Sequence, residues 1–588
     1  MIDTPQQRPV GYLTFTLHAH LPYVVNHGTW PHGLEWLLEA AAETYLPLLR
    51  VVRNLERDGI ALRANLNLSP ILLEQLAHPV FSTEFPKYLK RKITAANEDE
   101  AYFNQNDEPH LAGTARYWRG YFEEALGDFE SMGGGIVRGF REAAERGLLD
   151  IITCGATHGY FPLLGTDESI RAQVETGVAT HERHIGKHPR GIWLPECAYR
   201  PAGTWSYPVI PHGSSQPWPP FDRKGVEEPL EDAKIDYCFV DTHLVEESVL
   251  FTPYELRAGG AVGVAASLAV ETCEPHHSLY KPYYVDGPRA HRRPVTIFPR
   301  DPRTGLQVWS GDAGYPGDGN YLDFHKKRFP GGHRYWQVTG SKIDMAYKTP
   351  YFPEKAAART KSHAEHFVSL VVDSLKSGFK DPVPSILTSP FDAELLGHWW
   401  FEGPMWLEHV ARIMAKADIP VALTSGASYL DRYPPDSFLA LPEGSWGKNG
   451  TNEVWLNPDT RWTWEYLYPA EVAVRNAAGS DRWKESPQGE RILKQLCREL
   501  LLLESSDWQF LITTEAARDY AEDRFKGHLA SFRTIEMMWK LHCGGGTLSS
   551  DDEAKLSKIE TQDSVFAHLD PSLWARQSSS LAEDLGAV

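Results

Sequence analysis

Six cysteines in 588 residues are too few and too scattered for a disulfide framework. They stand at Cys154, Cys197, Cys238, Cys273, Cys497 and Cys543 with no Cys-x-x-Cys pair, which excludes a zinc cage of paired thiols and predicts reduced, mostly buried side chains. Long hydrophobic runs are missing too: nothing approaches the roughly 20 apolar residues that a membrane-spanning helix needs. The opening MIDTPQQRPV has no basic region followed by an apolar stretch, so no secretion signal is expected and the cytoplasm is the predicted compartment. Basic charge is in deficit, 59 Lys and Arg against 78 Asp and Glu, for a net charge of −19. That excess repels a phosphate backbone and sets nucleic acid aside as a partner. Whether the chain is a monomer or a homodimer is left open by these counts. What the sequence does have is aromatic surface: 19 Trp and 25 Tyr are more rings than a core readily absorbs, so some are expected to line a binding surface.

Short strand-like runs alternate with longer helical stretches. Tyr12–Leu17 and Leu62–Leu68 alternate with period two, the second setting Leu62, Ala64, Leu66 and Leu68 against Arg63, Asn65 and Asn67. Further runs of strand length are Asp150–Cys154, Gly191–Leu194, Tyr237–Asp241, Pro294–Phe298, Ser385–Leu387 and Val421–Leu423. Between them lie helical patterns such as Leu34–Arg57. This alternation predicts a parallel α/β barrel over 1–430. Residues about 85–130 are expected to form an inserted subdomain, and 206–228, rich in Pro, Ser and Gly, a long loop insertion. Residues 431–575 turn helical and predict a C-terminal helical domain; 576–588 reads as a flexible tail.

Polar residues follow the strands in a way that stability alone does not explain. His18 and His20 follow the first, Asn67 and Ser69 the second, and Thr157 and His158 the third. Glu196 follows the fourth, Asp241 and His243 the fifth, Arg300 and Asp301 the sixth, and Asp392 the seventh. The carboxyl ends of barrel strands form the active face. Glu196 ends Gly-Ile-Trp-Leu-Pro-Glu and could be an ordinary loop glutamate. Asp392 begins Asp-Ala-Glu-Leu-Leu-Gly-His-Trp-Trp and could be a helix cap, although the aromatic cluster beside it is costly for a cap. Glycoside cleavage needs two carboxyls, and strands four and seven can bring such groups together across a barrel mouth. His18 and His20 share one side of a strand. That placement suits a metal site, as in a metal-dependent hydrolase or deacetylase, hydrogen bonding to sugar hydroxyls with His158, or buried structural histidines. Trp309, Trp399, Trp400, Trp446 and Trp455 are candidate platforms for sugar rings, each equally compatible with the core.

Several of these motifs occur in a fixed order: His-Ala-His-Leu-Pro-Tyr at 18–23, Thr-Cys-Gly-Ala-Thr-His-Gly-Tyr at 153–160 and Trp-Leu-Pro-Glu-Cys at 193–197. Arg-Asp-Pro-Arg-Thr-Gly-Leu-Gln-Val-Trp-Ser-Gly at 300–311, Gly-Tyr-Pro-Gly-Asp at 314–318, the 391–402 motif, Gly-Ser-Trp-Gly at 444–447 and Ser-Asp-Trp-Gln-Phe at 506–510 continue it. Together they resemble glycoside hydrolase family 57, and within it the branching enzymes that act on 1,4-α-glucans. The resemblance implies a (β/α)7 barrel with a helical C-terminal domain, so one of the eight candidate strands lies outside the barrel. It implies a retaining enzyme that cleaves α-1,4 linkages and forms α-1,6 branches in amylose or glycogen-like glucans. Glu196 is then the nucleophile and Asp392 the acid/base, with no metal and no cofactor. Substrate contacts carried over by the resemblance are His18, His20, His158, Arg303, Trp309, Gly319, Trp399, Trp446, Trp455 and Asp507. Alternatives within the family are an α-amylase or a 4-α-glucanotransferase, and outside the enzymes a non-catalytic glucan-binding protein. Branching enzymes of the family carry a Tyr on a loop that shields the intermediate. Here the stretch 274–284 replaces it, and His277 or Tyr280 is the expected tip of a cover built from 206–228 and 241–290.

Overall fold

The computed structural model describes residues 9–251, 277–287, 293–311, 313–340, 342–377 and 383–576. The predicted tail beyond 576, Cys273 and the segment 252–276 of the expected cover lie outside these residues.

Seven parallel strands carry the fold: β1 Gly11–Ala19, β2 Ala64–Leu68, β3 Leu149–Cys154, β4 Ile192–Trp193, β5 Tyr237–Val240, β6 Thr296–Pro299 and β7 Ser385–Asp392. Their order around the ring is their order in the chain. β7 pairs with β1 from Gly11↔Ser385 to His18↔Asp392, and β1 with β2, β2 with β3 and β3 with β4 follow. The ring continues through a parallel bridge Gly191↔Tyr237, the parallel pair β5–β6, and a bridge Arg300↔Thr388 back to β7. Only glycine fits at 191, where a Cβ would lie 2.4 Å from the Tyr237 ring. This is the (β/α)7 barrel. The eighth candidate, β8 Val421–Leu423, pairs with Gly11–Leu13 of β1 outside the ring. β2 reaches only the second half of β1, and β8 covers the backbone that would otherwise be an open edge.

Period-two alternation sorts β1 chemically. Leu13, Phe15 and Leu17 face the helices, where Phe15 packs on Phe367 of the helix Pro353–Ser377 and Trp406 of the helix Gly403–Met414. The opposite face is polar yet buried, so its groups must be hydrogen-bonded. The Asn65 amide donates to Thr14 Oγ1 at 2.9 Å and Thr16 Oγ1 at 3.0 Å. The barrel interior is thus a polar ladder that rises toward His18.

The pattern Leu34–Arg57 forms helix throughout, with a five-residue π-helical turn at Ala41–Tyr45. The wider turn inserts one residue into the helical spacing and brings Glu43 and Tyr45 inward. Residues 79–131 fold as a helical hairpin, Pro79–Gln105 and Pro109–Ser131, whose seam holds Phe81, Phe85 and Phe129.

The chain divides into two compact units. The barrel unit comprises 1–153, 181–193 and 234–442; the second comprises 154–180, 194–233 and 443–588. The segments that follow β3 and β4 therefore belong with the C-terminal helices. Those helices are Arg461–Ala478, Pro487–Leu503, Asp507–Thr513, Arg518–Cys543 and Ser550–Gln562. Pro487–Leu503 starts on a Ser486 cap that accepts from Gly489 N at 3.0 Å, and it buries Ile492, Leu493, Leu496, Leu500 and Leu503. Cys154, Cys197, Cys238 and Cys497 are buried, and none is in a disulfide among the described residues. Among the described residues no helix is long and apolar enough to cross a membrane.

Candidate active site

Glu196 belongs to the second unit. Pro195 ends the extended run, and Glu196 and Cys197 then adopt left-handed backbone, with φ of 62° and 48°. That conformation costs a non-glycine residue about 1–3 kcal/mol and persists only where its surroundings enforce it. They do so here from far along the chain. Trp446 N donates to Glu196 O at 3.0 Å, and the Trp446 indole Nε1 donates to Glu196 Oε2 at 2.6 Å. One tryptophan thus fixes both the backbone and the carboxylate of Glu196. His158, also left-handed at φ 62°, places Nδ1 3.9 Å from Glu196 Oε1. Ser506 holds His158 in turn, with Oγ 2.9 Å from Nδ1 and its N donating to His158 O at 3.2 Å. Asp507 accepts from Ser505 Oγ at 2.5 Å on the same turn. Beneath His158, Gln173 donates to Thr157 Oγ1 at 2.8 Å and to Glu504 Oε2 at 2.7 Å.

A charge-assisted hydrogen bond of this kind contributes about 1.5–3 kcal/mol. Trp446→Phe keeps the ring and removes the donor. We expect kcat to fall roughly 10- to 100-fold with the thermal midpoint near that of the parent, as steady-state assays on amylose and a melting curve would register. Unchanged kcat would show that the indole does not orient the carboxylate during turnover.

Asp392 belongs to the barrel unit, as the last residue of β7 and the register partner of His18. It sits at the cap position of the 3-10 turn Ala393–Leu395 but makes no side-chain cap hydrogen bond, so the cap reading fails. Its carboxyl is pushed up to about 8, chiefly by burial and then by the nearby Glu394 charge, with His20 and Arg300 pulling the other way. Glu394 is itself pushed up to about 7 by burial. It accepts from Tyr45 OH at 2.6 Å and His20 N at 3.1 Å. Two crowded carboxyls in one buried site do not both ionise at neutral pH, so Asp392 holds a proton it can donate.

His18 Nδ1 lies 2.7 Å from Asn67 Oδ1, and His20 Nδ1 lies 2.9 Å from Ser69 Oγ. His18 also stacks on Trp193, with centroids 5.1 Å apart. Among the described residues, no metal-compatible group of three includes His18 or His20. Arg303 donates to Ser374 Oγ at 3.0 Å. Trp309 and Trp399 lie 6.5 Å apart, and Trp399 is 42% exposed, as a platform requires. Gly319 turns against Thr339, whose carbonyl would lie 2.9 Å from an added Cβ.

Four candidates are placed otherwise than expected. Trp455 is 1% exposed and stacked on Tyr160 at 4.2 Å, so its face is spent on packing, and Trp400 is likewise core. His277 is 8% exposed, with Nε2 3.0 Å from Ser248 O. Tyr280 O accepts from Ile386 N at the start of β7, and its hydroxyl donates to Asp301. Asp392 stands six residues further along that strand, about 20 Å at ~3.3 Å per residue. The Tyr280 backbone is thus tied to the end of β7 opposite Asp392, and His277 is buried. Glu394, Tyr45 and Gln173 are hydrogen-bonding neighbours of these candidates that no spacing rule singled out, although Glu394 stands two residues from Asp392 in the same motif.

Comparison with known proteins matches two stretches of the chain to family profiles. The profile described as glycosyl hydrolase family 57 matches residues 14–383, and that described as 1,4-alpha-glucan branching enzyme, C-terminal, matches 466–574. A 1,4-alpha-glucan branching enzyme of Thermococcus kodakarensis is 40% identical over 560 residues, 95% of this chain and 77% of that one. The crystal structure of a branching enzyme from Pyrococcus horikoshii superposes with a TM-score of 0.84 at 37% identity, covering 97% of each chain. An alpha-amylase from Thermotoga maritima superposes with a TM-score of 0.78 at 28% identity, covering 97% of this chain and 99% of its own.

Proposed function

The chain belongs to glycosyl hydrolase family 57, and from that premise we propose that its activity is that of a 1,4-α-glucan branching enzyme. The observation that carries this reading is the match of 466–574 to the C-terminal profile of branching enzymes. The similar α-amylase is lower in both identity and TM-score than the branching enzyme from Pyrococcus horikoshii, and the metal-hydrolase alternative has no three-residue metal group at His18 and His20 among the described residues to support it.

Glu196 is the nucleophile and Asp392 the acid/base. In the first step Asp392 gives its proton to the α-1,4 glycosidic oxygen while Glu196 attacks the anomeric carbon. The carbon–oxygen bond breaks, the shortened chain leaves with the proton, and a glycosyl ester remains on Glu196. In the second step ionised Asp392 takes the proton of a 6-hydroxyl on an acceptor chain. That oxygen attacks the anomeric carbon, the ester breaks, and both carboxyls return to their starting states. One α-1,4 linkage is exchanged for one α-1,6 linkage with configuration retained. His18, His20, His158, Arg303, Trp309, Gly319, Trp399, Trp446 and Asp507 are assigned to binding the glucan. Reduced thiols support the cytoplasm as the place of action.

Incubating the protein with amylose and scoring α-1,6 linkages against new reducing ends tests the reading. Branches should outnumber new reducing ends. Short linear sugars without branches would replace this function by hydrolysis.

A further inference from the structure

Within the barrel unit, on the outer side of the ring, the helices Leu46–Arg57, Pro109–Ser131 and Gly403–Met414 and the segment 351–357 enclose a cleft of about 690 Å³. That volume lies within the range of small-molecule sites. Its floor is aromatic: the Phe401 ring lies 6.3 Å from Tyr117 and 5.3 Å from Tyr121. Met405, 40% exposed, forms one edge. Glu402 also lines the cleft and is only 2% exposed. Its Oε1 accepts from Tyr351 OH at 2.7 Å and Leu322 N at 3.1 Å, whereas Oε2 has no hydrogen-bond partner among the described residues. A buried polar atom of that kind calls for a ligand or water to satisfy it. The rim offers planar polar groups already held in place. Asn54 Nδ2 donates to Glu408 at 3.1 Å, and Arg50 pairs with Glu124 at 2.7 Å.

The charges narrow the ligand class. Glu124, Glu354, Glu402 and Glu408 line the cleft against Arg50 and Arg116, an acidic balance that disfavours phosphates and other anions. A purely apolar ligand would leave the rim groups and Glu402 unpaired. A neutral polyol with one apolar face satisfies both halves: pyranose C–H groups pack on Tyr117 and Phe401 while vicinal hydroxyls meet the amide, guanidinium and carboxylates. We propose that this cleft is an accessory α-glucan-binding site that holds a length of polymer while the reacting carboxyls work elsewhere on it. The choice of glucan among neutral polyols rests on the branching reading above. Such a second contact raises the effective concentration of chain ends and branch acceptors at the enzyme without altering the chemistry.

The test titrates maltoheptaose into the full-length Glu196→Gln protein, so that no turnover intervenes, with and without Asn54→Ala or Tyr117→Ala. Two binding events per chain are expected for the parent and one for each cleft variant. Retention of those variants in glycogen-containing native gels should fall roughly fivefold. Asn54 is a rim residue, so its variant stays informative if Tyr117→Ala folds poorly. With Glu196 intact, both cleft variants should keep kcat on amylose and raise its half-saturating concentration. Unchanged stoichiometry and retention in both would overturn the site, and so would a fall in kcat with half-saturation unmoved, which marks a structural role. The branching reading fails separately, if the intact enzyme makes no α-1,6 linkages while still binding maltoheptaose at two places.

Discussion

Glu196→Gln is expected to lower kcat on amylose on the order of 10⁴-fold or more while the protein remains folded. The amide oxygen of Gln can still accept the Trp446 indole N–H that now reaches Glu196 Oε2 at 2.6 Å, so the turn keeps its tether. What is lost is the anionic oxygen that the proposed mechanism uses to form the glycosyl ester, without which neither half of that exchange proceeds. A circular dichroism spectrum matching the parent, together with the absence of both branches and reducing ends, is the expected result. Turnover within tenfold of the parent in a folded variant would remove the nucleophile assignment.

Asp392→Asn should be nearly as damaging on glucans, roughly 10³-fold or more, because the proposed mechanism uses one group both as acid and as base. Its signature differs in two ways. A substrate with a good leaving group needs little protonation, so the variant should form the Glu196 ester and accumulate it, which mass spectrometry of the intact protein would detect. The second signature is in pH. The parent should lose activity on the alkaline side as the Asp392 carboxyl, raised to about 8, gives up its proton, with the apparent value belonging jointly to Asp392 and Glu394. For stability, the native state keeps this proton between the unfolded value near 3.9 and about 8, so it binds more protons than the unfolded chain. Stability therefore declines as pH rises through that window. Asn removes this dependence, and the variant should gain on the parent from about pH 4 to about pH 8 by a few kcal/mol in all. A parent and variant with parallel stability profiles would contradict the buried, protonated state of Asp392.

Much of this was legible in the residues because barrel chemistry is local in sequence. Each strand reads as a short alternating or apolar run with a polar residue after it, so Glu196 and Asp392 could be put forward as candidates from the runs that precede them. Two classes of feature could not. Burial of an individual ring depends on what arrives from elsewhere: Trp455 reads as a platform until Tyr160 is found stacked on it. Likewise, Tyr280 reads as a loop tip until its backbone is found hydrogen-bonded to the start of β7. The second class is pairing across long separations. Nothing near Glu394 signals Tyr45, its partner 349 residues away, and the helical pattern over Leu34–Arg57 does not announce the π-helical turn that delivers Tyr45. The division into two units was hidden for the same reason, since the segments after β3 and β4 look like ordinary connections until their partners beyond residue 443 are known.

The tether between Glu196 and Trp446 spans 250 residues, which gives the enzyme a timetable as well as a geometry. A ribosome adding about 5–20 residues per second makes Glu196 roughly 10 to 50 seconds before it makes the tryptophan that orients it. During that interval the strained turn at Glu196 and Cys197 lacks the partner that enforces it, and a chain abandoned before Trp446 never acquires an aligned nucleophile. Unfinished or C-terminally clipped copies should therefore accumulate as inert protein rather than as hydrolases released among the cell's stored glucan.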